Sequence, residues 1–274
     1  MIFIRHGVAK HNVRDHVTGQ GPNLYDPSLL DPPLVYEGKL QGLKAGEQLR
    51  SCINQNQHHF ITAQQHDSSS TSHGGPPKPE LVISSPLTRC FQTTMLVCGP
   101  GDIYTTNNNH SSSSSSNNNN SQESPPEPQS AESQEPTYIC SELCREAFGM
   151  HYPDKRRRLS LLKKYWPIFQ FPQDMTEYDD AWRPDQREMI EDVQARVSKF
   201  LEFIVSRSES FIVIVSHGVF IETLLNTYCP QALQYGQQRV YNCDMYCVDC
   251  ISSRDNTNNS GRGLFIELQN PHKV

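Results

Sequence analysis

The sequence predicts an α/β protein, a three-layer α/β/α sandwich on a mainly parallel central sheet. Short apolar runs with no polar interruption, "MIFI" at 1–4, "ELVIS" at 80–84 and "SFIVIVS" at 210–216, read as strands buried on both faces. Each leads through polar residues to a stretch with helical apolar spacing. Such alternation of strand and helix lays helices on both faces of a parallel sheet, and no repeat of fixed period suggests a solenoid instead.

In chain order, the first strand is followed by "EGKLQGLKAGEQLRSC" from Glu37, where Leu40, Leu43 and Leu49 have helical spacing. After "ELVIS", Pro86 suits the first turn of a helix through "LTRCFQTTMLVC". "TYIC" at 137–140 is a third strand. A long amphipathic helix from Gln186 places Met189, Val193, Val197, Phe200, Leu201 and Ile204 on one side. "SFIVIVS" is the clearest strand, with "FIETLLNTYC" helical after it, and late strands are expected at "VYNCDMYCVD" and "GLFIELQ". Residues 64–79 and 105–136 are polar, turn-rich or Asn/Ser-rich. They lack the apolar side chains a core needs, so a single domain over 1–274 with two disordered inserts is expected.

The formal charge of −6 argues against general nucleic-acid binding, which leaves a basic footprint. No apolar run reaches the roughly 20 residues of a membrane span, and a strand at the first residues leaves no room for a cleaved leader. The nine cysteines, odd in number and without a regular framework, point to reduced thiols in the cytoplasm, with the nucleus as the alternative. Cys247 and Cys250 form a lone C-x-x-C, which strand alternation explains better than zinc. No composition signal sets the oligomeric state.

Three strand ends carry polar clusters: "FIRHG", "VISSPLTR" and "IVSHG". Ligands of open α/β sheets bind outside the carboxyl ends of strands, so Arg5, His6, Arg89 and His217 are expected to converge. Two guanidiniums match the anionic oxygens of a phosphoryl group, and an imidazole can attack phosphorus. Two histidines beside two arginines, with no acidic ligand, suit a metal ion less well. Neither metal nor cofactor is expected. The helix beginning near Arg89 adds an N-terminus favourable to an anion.

"RHGVAKHN", "SSPLTRCFQT" and "VSHGVFIETLL" together resemble the histidine phosphatase superfamily in its phosphoglycerate mutase-like branch. "SELCREAFGMHYPDKRRRLS" and "AWRPDQREMIEDVQARVSKFL" are similar to its plant and fungal members. The acid-phosphatase and phytase branch is less similar, since its extended first motif and His-Asp second motif are absent. The resemblance implies a phosphoglycerate mutase-like fold. It makes His6 the nucleophile that becomes phosphohistidine, with Arg5, Arg89 and His217 holding the transferring oxygens. It adds Asn12 as a neutral donor and Glu146, in "LCREAFG", as general acid, with Glu142 or Glu222 as candidates should Glu146 point away. A small phosphorylated substrate is implied, hydrolysed without a metal. The alternatives are transfer to a second hydroxyl, as in a mutase, and a binding role without catalysis. Val8 and Ala9 replace the Glu-Ser pair usual in mutases, which favours hydrolysis. The run 154–158, "DKRRR", reads from its residues as a solvated face, a nuclear signal or part of the substrate pocket, and the resemblance implies structural ion pairs or a lid over the substrate's non-reacting end. His11 and His16 read equally as substrate contacts or as plain loop residues.

Overall fold

Six strands form one sheet in the order β3-β2-β4-β1-β5-β6 in the computed structural model, which describes residues 1–55, 77–100, 135–233, 239–254 and 264–274. The strands are β1 Ile2–Arg5, β2 Leu81–Ser84, β3 Thr137–Cys140, β4 Ile212–Ser216, β5 Met245–Arg254 and β6 Leu264–Lys273. β3, β2, β4 and β1 run parallel, whereas β5 is antiparallel to β1 and β6 to β5. The expected α/β sandwich with a mainly parallel centre is therefore present.

Strand side chains alternate between two cores, which explains the uninterrupted apolar runs. Ile2, Ile4, Val82, Val213 and Val215 face one side, under α1 (Tyr36–Gln55), α2 (Thr88–Cys98) and α3 (Leu159–Tyr165). Phe3, Leu81, Ile83, Ile212 and Ile214 face the other, under α4 (Ile190–Val205) and α5 (Gly218–Tyr228). Cys247 belongs to the first core and Cys250 packs against the second, so the C-x-x-C pair is split across the sheet. Among the described residues no disulfide links the cysteines.

Two helices differ from their expected faces. In α1 only Leu49 of the three leucines is buried, while Leu40 and Leu43 are about half exposed. The buried stripe is instead Gly38, Gly42, Ala45 and Gly46. A Cβ on Gly42 would stand 2.9 Å from Leu96 Cδ1, and one on Gly38 2.0 Å from the Val8 carbonyl oxygen. Close backbone approach to α2 and to the chain after β1 thus outweighs leucine burial. α4 begins at Ile190, with Met189 exposed at its N-cap rather than on the apolar face. β5 begins at Met245, after a turn in which Cys243 has φ 61°, so 240–244 are not strand as expected. The expected inserts lie outside the described residues except at 77–79 and 135–136, which lead into β2 and β3. Among the described residues no helix is long and apolar enough to cross a membrane.

Candidate active site

β1, β4 and the segment after β2 end side by side, because Arg5 is in register with Ser216 and the Ser85 N–H continues the ladder to the Val215 carbonyl. This places His6, Arg89 and His217 in one buried cluster. The His6 and His217 rings lie 5.1 Å apart, centroid to centroid. Arg89 sits between them, its Nε donating to His6 Nε2 at 3.1 Å and its Nη2 3.2 Å from His217 Nδ1.

The His6 tautomer follows from its partners. Nδ1 lies 2.7 Å from the Gly7 carbonyl oxygen, which can only accept, so Nδ1 carries the proton and Nε2 keeps its lone pair. The Asn242 side chain donates to the His6 carbonyl at 2.8 Å, and the Gly7 N–H donates to Thr93 Oγ1 at 3.1 Å, fixing the backbone on both sides. Gly7 and Gly38 also abut, since a Cβ on Gly7 would lie 2.4 Å from the Gly38 carbonyl oxygen. Burial, then the Arg89 and Arg5 guanidiniums, push His6 well below the ordinary histidine range. Burial and Arg89 do the same to His217. Both rings are therefore neutral near pH 7. His217 Nε2 is 2.8 Å from Ser85 Oγ and 3.3 Å from Cys90 Sγ, whose thiol burial keeps protonated.

Arg5, the last residue of β1, donates through Nη1 to the Val240 carbonyl, while its buried Nε has no hydrogen-bond partner. Gly218 packs against this guanidinium; a Cβ there would be 3.4 Å from Arg5 Cζ. Glu146 reaches the same place. Its Oε1 accepts the Ala147 N–H at 2.9 Å and its Oε2 the Val219 N–H in the first turn of α5 at 3.4 Å. Burial, reinforced by Asp154, raises its pKa above the usual carboxyl value. Ser216 Oγ donates to the Cys144 carbonyl at 2.7 Å, tying the end of β4 to the turn that carries Glu146.

Of the residues singled out from sequence, Arg5, His6, Arg89, Glu146 and His217 come together. Asn12 ends the short 3-10 helix Lys10–Asn12, and its Oδ1 caps the Ala9 N–H at 3.0 Å, which leaves only its NH₂ for a ligand. Glu142 is engaged by Arg145 at 2.9 Å and by Arg156 at 2.5 Å, and Glu222 accepts the Val240 N–H at 2.9 Å. The anion at the α2 N-terminus is the protein's own: buried Asp31 accepts the Thr88 N–H at 2.7 Å, and that helix dipole is already compensated. The "DKRRR" run is structural. Asp154 binds Arg89 at 2.9 Å and Arg187 at 3.0 Å, Arg157 meets Asp31 at 3.3 Å, and Arg156 is buried among the carbonyls of 176–178.

Sequence reasoning missed Asp154, Asp31, Ser85 and Asn242 as partners of the site. Ser85 and Asp154 stood inside quoted motifs, whereas Asp31 and Asn242 carried no local signal, since their partners are distant in sequence. His11 was undecided; it is in the cluster, 6.0 Å from His6 between centroids. A cavity of about 710 Å³ opens beside β3, against the segment 170–176, but none of Arg5, His6, Arg89, Glu146 and His217 lines it. The polar cluster, not that cavity, is the candidate site. Among the described residues no group of three or more His, Cys, Asp or Glu side chains could hold a metal ion.

A sheet whose carboxyl edge gathers two neutral imidazoles, two guanidiniums and one carboxyl whose pKa burial raises has the polar set of a phosphoryl-handling protein. Residues 168–259 match the histidine phosphatase superfamily (branch 1). Among curated proteins the chain is similar to the phosphoglycerate mutase-like protein of Arabidopsis thaliana, 34% identical over 55% of this chain and 54% of the relative. It is also similar to phosphoglycerate mutase-like protein 1 of the same plant, 37% identical over 54% and 51%. Phosphomutase-like protein 3 of Candida albicans is 31% identical over 35% of this chain and 32% of its own length. The chain spans about half the length of the plant relatives it matches. These matches support the histidine phosphatase superfamily, in its phosphoglycerate mutase-like branch.

Proposed function

We propose that the protein is a metal-independent phosphomonoesterase acting on a small phosphorylated metabolite through a phosphohistidine on His6. The observation that carries this reading is the fixed tautomer of His6, with a bare Nε2 between a guanidinium and a second neutral imidazole. Substrate phosphate exchanges for that ring nitrogen as the acceptor of the Arg89 Nε–H. The Nε2 lone pair then forms the N–P bond as the ester P–O bond breaks. The departing alkoxide takes the proton from Glu146, which the raised pKa keeps available. In the second half, Glu146 takes a proton from water, the hydroxide attacks phosphorus, and the N–P bond breaks to release orthophosphate. Arg5, Arg89 and His217 carry the charge on the equatorial oxygens in both steps, with Asn12 as a further donor.

The test is hydrolysis of para-nitrophenyl phosphate in EDTA by wild type and by His6→Ala. Wild type is expected to turn over and to yield an acid-labile, base-stable adduct on rapid quench, and His6→Ala to lose at least about 10⁴-fold in kcat. Activity that requires a divalent metal, or that survives in His6→Ala, would refute the mechanism. The names of the plant relatives favour a second reading, transfer of the phosphoryl group to another hydroxyl of a phosphoglycerate; turnover stimulated by a bisphosphoglycerate separates the two. Nine cysteines without a regular framework support a reducing compartment, cytoplasmic or nuclear, for a single domain carrying two inserts.

A further inference from the structure

Two buried polar nitrogens without a hydrogen-bond partner belong to this one cluster: Arg5 Nε and His11 Nδ1. A buried donor or acceptor left unmade is costly, and a pair of them around a polar cluster marks the place of a missing ligand. The His11 ring stands 6.0 Å from the His6 ring, centroid to centroid, and tilted 46° to it. That spacing is too wide for a direct ring-to-ring hydrogen bond and suits one tetrahedral oxyanion between the two. The backbone holds His11 there. The 3-10 turn Lys10–Asn12 is closed by Asn12 N–H to the Ala9 carbonyl at 2.8 Å, and Asn12 Oδ1 caps its start. The Lys10 N–H is bound to the Pro33 carbonyl at 3.1 Å, anchoring the same turn to the loop ahead of α1.

We propose that His11 is a substrate ligand, its Nδ1 hydrogen-bonding an oxygen of the phosphoryl group carried on His6. The inference rests on the phosphohistidine reading above and adds a fifth side chain to the cradle of Arg5, Arg89, His217 and Asn12. Burial, together with Arg89 and Arg5, holds His11 down to about 2, so the ring is neutral when the site is empty. In the empty site it is therefore a neutral group that offers an incoming oxyanion a directional hydrogen bond. The proton it donates belongs to the Nδ1–H tautomer and stays on the ring, so the step consumes no reagent.

The experiment compares wild type, His11→Leu and His11→Gln with para-nitrophenyl phosphate as substrate and orthophosphate as inhibitor. His11→Leu is expected to raise the orthophosphate inhibition constant and the KM about tenfold while still forming the acid-labile adduct, and His11→Gln to recover part of the loss. A purely structural role would leave both constants unchanged in whatever fraction of the variant folds. In wild type, saturating orthophosphate is expected to shift the ¹⁵N resonance of His11 Nδ1. An unmoved resonance, or an unchanged inhibition constant in His11→Leu, overturns the proposal. Absence of any phosphohistidine in wild type instead refutes the mechanism on which it rests, so the two failures are told apart.

Discussion

Two buried arginine clusters lie a short distance apart in this protein, and they are built for opposite ends. Around Arg145 the charges close on themselves, although its buried Nε has no hydrogen-bond partner. Its Nη1 and Nη2 bind the Asp179 carboxylate at 2.9 and 2.6 Å, Glu142 adds a contact at 2.9 Å, and the Arg156 N–H donates to the same Asp179 at 2.8 Å. Burial alone would raise Asp179, but the Arg145 charge and hydrogen bonds, with those of Arg156, together outweigh it and hold the carboxyl below its ordinary value. Around Arg89 the neighbours are imidazoles, which do not neutralise a guanidinium. Asp154 is shared with Arg187, and Arg5 Nε and His11 Nδ1 are unpartnered. Burial of arginine is therefore no guide to function. What separates the clusters is that Arg145 meets two carboxylates, whereas Arg89 meets one, shared with Arg187, beside two neutral imidazoles.

Asp154 joins the two clusters, and substitutions can test whether they are separate in kind. Asp179→Ala, which leaves the Arg145 charge buried with Glu142 alone, is expected to cost about 3–5 kcal/mol of unfolding free energy in chemical denaturation. A loss below about 1 kcal/mol would mean that the closed cluster does not hold the 142–180 region. Glu146→Gln is expected to leave the unfolding midpoint nearly unchanged while lowering kcat about 10²- to 10³-fold for substrates with poor leaving groups. Its pH profile carries the sign. A carboxyl raised above its usual value keeps its proton to higher pH, so kcat/KM in wild type falls as pH rises through that raised value, and this limb disappears in Glu146→Gln. Because His6 is depressed well below 6.5, its own acid limb lies below the ordinary histidine range, and activity is retained on the acid side of neutrality. Asp154→Asn keeps the shape but removes the charge that aims Arg89. It is expected to lower kcat/KM about tenfold, with a smaller effect on stability than Asp179→Ala. Equal effects of the two on stability would merge the clusters into one structural network.

Much of the site was legible before any coordinates. Arg5, His6, Arg89 and His217 were found because each follows an apolar strand or opens the helix after one, and that local pattern survives folding intact. Glu146 was legible only by resemblance, since a carboxylate beside an arginine looks like any solvated pair; its place at the first turn of α5 depends on β4 and the 142–144 turn being joined through Ser216. The face of α1 was misread for a related reason. Helical spacing ranks leucines above glycines, but the depth of packing against α2 and the Val8 carbonyl requires side chains to be absent.

The sequence by itself determined the parallel core, the strand ends that bear the chemistry, and the kind of ligand that two guanidiniums and two imidazoles suit. These are properties of adjacent residues, because strand burial and the position after a strand are written within a few residues of one another. Tertiary structure alone decided which nitrogen of His6 is bare, that Asp31 and not a substrate sits at the α2 N-terminus, that Asp154, Arg156 and Arg157 of the run 154–158 are held in ion pairs, and that His11 stands beside His6. Each of these depends on a partner brought in from elsewhere in the chain or, for Gly7 and His11, on how the backbone turns after β1. Charge state and tautomer follow from the partner and the depth of burial, and neither is readable from a residue's neighbours in sequence.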